Sequence, residues 1–283
     1  MDFELLSVKF TFTWGFSVKA PHVSAAQFSA LLPPPSTLIG AVAYGLAKQL
    51  NWPECELSGR TRASVAKRAA EFIKSAHFGL EKTLDGGRPM HWVDITRVSA
   101  LPFLEEKYRE PNWKKTWFGI HGFGKVIMPN AKGRVVFVVD SELAHEKLGE
   151  KWRVLLEQSA FSMISLGSKE GFIAVDEVDM KKARILKERV KTAYYFPTSA
   201  MLNCYPRPEE LESSGFWFHG PTSSHWLAGG SQRPVDIIPY TLPLHKIRRE
   251  PVEIEVQLSN EGLALSTDGS PWGTVIGFRR WYE

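Results

Sequence analysis

The chain has 283 residues, 43% of them hydrophobic, with 35 Lys and Arg against 31 Asp and Glu, a formal net charge of +4. That length holds one large core or two modest ones, no apolar run reaches the roughly 18 residues of a membrane span, and Cys55 and Cys204 alone cannot build a disulfide scaffold or a cysteine zinc site. The small positive surplus suits a polyanionic partner without singling one out; the acidic residues of MDFELLSVKF, where a secretory signal would be basic, give the expectation of a cytoplasmic protein.

Leu5 to Phe16 alternates apolar and polar residues and reads as a first strand. After a loop, Pro33 to Pro35 hold the chain extended, Ser36 reads as an N-cap, and a helix is expected from Thr37 with Leu38, Ile39, Val42, Ala43 and Leu46 on its apolar face. Gly40 and Gly45 each cost that helix about 1 kcal/mol against Ala, a cost that close packing on a sheet would return. Thr61 to Ala76 reads as a second helix, with Val65, Ala69, Phe72 and Ile73 inward. His77 to Leu84 and Arg88 to Val98 flank Asp85-Gly86-Gly87 and are expected to form a hairpin. Periodicity fades from Ser99 to Pro129, so residues of about 77–129 read as an insertion, and strand character returns at Arg134 to Val139. Ser141 is read as the cap of a helix running to Ser159, followed by the loop Gly167 to Gly171 and a strand, Phe172 to Val178.

Strand, helix, strand, strand, helix, strand is the order of a ferredoxin-like α+β domain, assigned to residues 1–196 with the inserted hairpin inside it. A β-rich C-terminal region is assigned to 197–283, with strands at Val252 to Leu258, Gly262 to Leu265 and Thr274 to Phe278.

Chemistry-bearing residues cluster in two places. In Gly167-Ser168-Lys169-Glu170-Gly171, glycines let backbone amides turn toward an anion while a hydroxyl and a cation supplement them; a tight turn explains the same residues equally well. The loop comes after a helix and lacks the spacing of a P-loop. In the insertion, Arg109, Trp113, Lys114, Lys115, Trp117 and Lys125 interleave cations with aromatic faces, as unstacked bases on a phosphate backbone require, although packing of the insertion on its own domain accounts for them too. Two basic segments, Arg60 to Lys74 and Lys181 to Lys191, are either phosphate-facing or solvated helix faces. Gly119 to Gly124 has the wrong spacing for a dinucleotide loop, the eight histidines lack metal-ligand spacing, and Asp176 and Glu177 point to opposite faces of a strand. No metal and no cofactor are expected.

The string FSALLPPPSTLIGAVAYGL, from Phe28 to Leu46, resembles the proline-rich signature of the Cas five family of CRISPR-associated proteins, in the RAMP superfamily. LGSKEGFIAV, Leu166 to Val175, is similar to that family's glycine-rich loop and strand, and VKTAYYFPTSA, Val190 to Ala200, is similar to the family's next segment; these two point to an archaeal, type I-A flavour. The resemblance implies a non-catalytic RNA-binding subunit of a type I CRISPR surveillance (Cascade) complex in antiviral defence. Such a subunit would grip the 5′ handle of the crRNA, cap the backbone of repeating Cas seven subunits and contact the large subunit, meeting target DNA only through the complex. It also implies that Gly167, Ser168, Lys169 and Gly171 lie against RNA, and that a protruding thumb falls within His77 to Pro129. Two alternatives stand. Some relatives cleave repeat RNA without metal, for which His22, His121, Lys169 and Tyr194 are the available residue types; the other alternative is an RNA-free adaptor.

Overall fold

The computed structural model describes residues 2–21, 26–58, 61–98, 119–168, 170–227 and 236–282. In chain order its elements begin with β1 (Phe3–Phe12), β2 (Gly15–Phe16), β3 (Ala26–Gln27), α1 (Pro35–Leu50), β4 (Cys55–Ser58), β5 (Thr61–Ser64) and α2 (Ala66–Phe72). Next come β6 (Ile73–Leu80), β7 (Met90–Val98), β8 (Gly119–Ile127), β9 (Lys132–Asp140), α3 (Ser141–Leu148), α4 (Trp152–Phe161) and β10 (Ile173–Lys182). The C-terminal strands are β11 (Arg184–Leu186), β12 (Arg189–Thr192), β13 (Phe196–Pro197), β14 (Met201–Tyr205), β15 (Leu211–Trp217), β16 (Ile237–His245), β17 (Ile254–Leu258), β18 (Gly262–Ser266) and β19 (Thr274–Phe278), with a last turn α5 (Arg279–Tyr282). The result is a mixed α and β architecture of antiparallel sheets with few helices.

A central four-stranded sheet runs β10-β1-β9-β6, antiparallel at each pairing. Alternation along β1 sends Leu6, Val8, Phe10 and Phe12 into the main core, which Leu38, Ile39, Val42 and Leu46 of α1 share. Phe3 and Leu5 point to the other face, where Leu263, Leu265, Val275 and Tyr282 cover them together with Val136 and Val138. Beyond Leu5 that second cover ends, and Ser7, Lys9 and Thr11 are half-buried.

Four local expectations are corrected. α1 starts at Pro35; Pro34 holds the cap position in extended geometry (φ −63°, ψ 153°), and Ser36 is buried inside the helix with no side-chain capping bond. The proline run itself presets the entry, leaving the hydroxyl nothing to cap. Of Thr61 to Ala76 only α2 is helical, because Ile73 onward pairs with β9, and tertiary pairing overrides a local helical pattern. The helix expected from Ser141 to Ser159 is two helices broken at Gly149 (φ +78°), and its cap is Asp140, whose carboxylate accepts from the Leu143 amide at 3.1 Å.

The hairpin is the fourth. β6 does not pair with β7: β6 pairs with β9, and β7 with β8. β6 is buried along nearly its whole length and matches the buried β9, whereas β7 carries exposed Met90 and Trp92. Burial on both faces selects the partner, and the Asp85-Gly87 turn merely redirects the chain out of the sheet.

The C-terminal strands form three small sheets, β11-β18-β19, β12-β17-β14 and β13-β16-β15, so strands preceding residue 197 pair with those after it. Tyr195 joins the parts. Its ring packs on Phe78, Phe216 and Tyr240, and its hydroxyl donates to the Pro33 carbonyl at 3.0 Å. Among the described residues no helix is long and apolar enough to cross a membrane.

Candidate nucleic-acid interface

The outer side of α1 and the segment after α4 enclose an open groove of about 510 Å³. Gly40, Ala41 and Tyr44 line it from the helix; Met163, Ile164 and Phe172 line it from the other side, joined by Gly167. Tyr44 and Phe172 are half exposed, Thr37, Ser162 and Ser165 also line it, the Ser162 hydroxyl donating to the Ser159 carbonyl at 2.8 Å, and no described lining residue is charged. The two glycines of α1 behave differently. A Cβ on Gly45 would sit 2.8 Å from the Ser159 carbonyl oxygen and 2.5 Å from Ser162 Oγ, so it is α4, rather than the sheet, that approaches this position. A Cβ on Gly40 would meet nothing within 4 Å.

The glycine loop borders the groove. Gly167 has φ +75° and a Cβ there would collide with the Ser17 carbonyl, so only glycine fits without strain. The amides of Ser168 and Gly171, expected to face an anion, are engaged internally: Ser168 donates to the Ser17 carbonyl at 3.0 Å and Gly171 to the Ser168 carbonyl at 2.9 Å. Ser168 Oγ is buried without a hydrogen-bond partner among the described residues. Lys169 lies outside the described residues.

Beside the loop, the β7–β8 ribbon places Trp92 opposite Lys125 and Asp94 opposite Phe123. Lys125 Nζ is 2.6 Å from Asp94 Oδ2, 3.8 Å from Glu170 Oε2 and 5.7 Å from the centre of the Trp14 ring. Trp14 Nε1 donates to the Glu170 carbonyl, and Trp92 Nε1 to Asp94 Oδ1 at 2.7 Å. The Lys125 hydrogen bond holds the Asp94 carboxyl below its ordinary range, and Asp94 in turn raises Lys125. Lys125 therefore stays charged, with that charge largely spent on its neighbours.

Of the insertion residues expected to meet RNA, only Lys125 is described; Arg109, Trp113, Lys114, Lys115 and Trp117 lie outside the described residues. The structure adds Trp14, Trp92 and Phe123, whose common surface arises from a strand register that the sequence does not display. Of the basic segments, the second lies on strands and the first only partly on α2, and several of their cations are paired: Lys181 with Asp179, Lys182 with Asp2 and Arg189 with Glu255, and Arg68 with Glu56 and Lys74 with Asp140. Among the side chains considered for cleavage, Tyr194 is fully buried and donates to the Trp272 carbonyl at 2.7 Å, out of reach of an RNA. His22 and Lys169 fall outside the described residues, as does the His121 side chain. Among the described residues no group of three or more His, Cys, Asp or Glu side chains is placed to hold a metal ion.

No protein-family model matches the chain. It is 30% identical over 244 residues to the "CRISPR system aCascade subunit Cas5 1" of Saccharolobus solfataricus, covering 86% of this chain and 89% of that one. It is 29% identical over the same length and coverage to the "CRISPR-associated protein Cas5 3" of that organism. Among solved structures, a CRISPR protein from Archaeoglobus fulgidus superposes with a TM-score of 0.55 over 97% of this chain and 99% of its own, at 18% identity, a likeness of fold.

Proposed function

Since the chain belongs to the Cas5 family of CRISPR-associated proteins, we propose that it is a non-catalytic RNA-binding subunit of a type I surveillance complex. In this reading it holds the 5′ handle of the crRNA, caps the backbone of repeating subunits and contacts the large subunit, and target DNA is met only through the assembly. One observation carries it. The PPPSTLIG helix and the LGSKEGF loop, more than a hundred residues apart in sequence, line the same open groove through Gly40, Tyr44, Gly167 and Phe172.

The central sheet supports a ferredoxin-like reading of the domain: taken in chain order its strands lie four-one-three-two, with helices between first and second and between third and fourth. The chain between β6 and β9, which includes the β7–β8 ribbon, takes the place of a thumb. Single-stranded RNA needs stacking faces and cations together. Trp14, Trp92, Phe123 and Lys125 supply both at the ribbon, and Lys169 with Arg109, Trp113, Lys114, Lys115 and Trp117 extend the same chemistry.

Filter binding of the purified protein to repeat-derived guide RNA across a salt series tests the reading. Affinity is expected to fall steeply as salt rises, because phosphate neutralisation releases counterions; binding that is absent, or insensitive to salt, refutes it. The same RNA incubated with protein and chelator should remain intact, and cleavage at one site would replace the binding role with a metal-independent nuclease.

A further inference from the structure

We propose that the groove between α1 and Phe172 is the seat of a single nucleobase, turned out of a single-stranded RNA and laid over Gly40. This deepens the RNA-binding reading and rests on it.

The first argument is an unreturned cost. A glycine inside a helix loses about 1 kcal/mol against alanine. Gly45 regains this through the close approach of Ser159 and Ser162, but at Gly40, apart from the helix's own backbone, no atom of the described residues comes within 4 Å of where a side chain would begin. Nothing inside the described molecule uses the space that Gly40 leaves open, so its use lies with something that arrives from outside.

The second argument is the chemistry of the walls. No described lining residue carries a charge, and the ammonium of Lys48, 5.0 Å over the Tyr44 ring, is paired with Glu54 at 2.9 Å, so the lining favours a flat uncharged group over a phosphate. Tyr44 and Phe172 present half-exposed rings on opposite walls, and stacking on such faces is how unpaired bases are held. Thr37 and Ser165 are the hydroxyl-bearing lining residues that make no side-chain hydrogen bond among the described residues. A base edge pairs with these, whereas an aliphatic side chain from a protein partner would leave them unsatisfied. A volume of about 510 Å³ accommodates a nucleoside, and a largely apolar cleft with a few polar groups is the usual make-up of such sites. The sugar-phosphate chain then remains outside the groove, toward the β7–β8 ribbon that carries Lys125.

The test uses the full chain and repeat-derived RNA carrying 2-aminopurine at one handle position at a time. In the native protein one position should show a distinct fluorescence change on binding. Phe172→Ala should abolish that change and weaken binding about tenfold, the scale of one lost base stack. Gly40→Met, which fills the groove, should do the same while keeping the native thermal midpoint. Replacing the responding nucleotide by an abasic one should make native and Gly40→Met proteins bind equally. Unchanged affinity and fluorescence in both variants would empty the groove of RNA while filter binding still upheld the RNA role. A native protein that fails to bind the RNA at all would instead remove the reading beneath the proposal.

Discussion

Gly40 and Gly45 share a helix, and substitution by alanine should separate them. At Gly45 the new methyl group meets the Ser159 backbone, so Gly45→Ala is expected to destabilise by about 2 kcal/mol through overpacking. At Gly40 the methyl group enters open space, so Gly40→Ala should stabilise by about 0.5–1 kcal/mol; urea unfolding of both variants checks the pair. Two buried histidines set a pH dependence. Burial lowers His77 to about 4, and burial together with the nearby His77 lowers His219 to about 3, from an ordinary 6.5. Both are neutral in the folded protein, whereas the unfolded chain takes up protons at these sites once the pH falls below about 6.5. The loss of stability begins as the pH falls below about 6.5 and levels off near pH 4 for His77 and near pH 3 for His219, reaching about 2 kcal/mol per histidine at pH 5. Unfolding free energies measured at pH 7.5 and pH 5 should differ in this direction, and equal values would contradict the burial of both rings.

At the scale of the element, helix starts are the instructive cases. Ser36 looks like a cap in the sequence because a hydroxyl precedes an apolar helical pattern, but three prolines already fix the entry and the helix begins before it. Ser36→Ala should therefore change stability by less than about 0.5 kcal/mol. Asp140 is the cap that works, at the end of β9, and Asp140→Ala should cost about 1 kcal/mol. The β7–β8 ribbon sets the limits for altering the insertion. β8 pairs with β7, β2 and β3, so a deletion extending to Lys125 would remove a strand. Replacing residues 99–118 by a short turn preserves those pairings and should leave the thermal transition in place while lowering affinity for RNA.

For the molecule as a whole, the central sheet needs covers on both faces. The helices cover one; Leu263, Leu265, Val275 and Tyr282, from the end of the chain, cover Phe3, Leu5, Val136 and Val138 on the other. A fragment of residues 1–183 would expose that second apolar cluster and is expected to aggregate on purification. A soluble, cooperatively unfolding fragment would show that the C-terminal strands are dispensable to the sheet. Tyr195 ties the same parts at a single point, linking the YYFPTSA segment to the proline run through its bond to the Pro33 carbonyl.

The sequence by itself determined what local physics fixes: the alternation of β1, the proline entry and apolar face of α1, the strands expected at 252–258, 262–265 and 274–278 and found at 254–258, 262–266 and 274–278, and the strings that carry the family. It marked Gly40 and Gly45 as places where something comes close, because glycine inside a helix has a local cost that needs a reason. Tertiary structure alone decided what comes close: α4 at Gly45, the Ser17 carbonyl at Gly167, and nothing within the described protein at Gly40. It also decided that β6 pairs with β9 and that Trp92 faces Lys125, since strand partners are chosen by burial on faces that exist only after the chain has assembled.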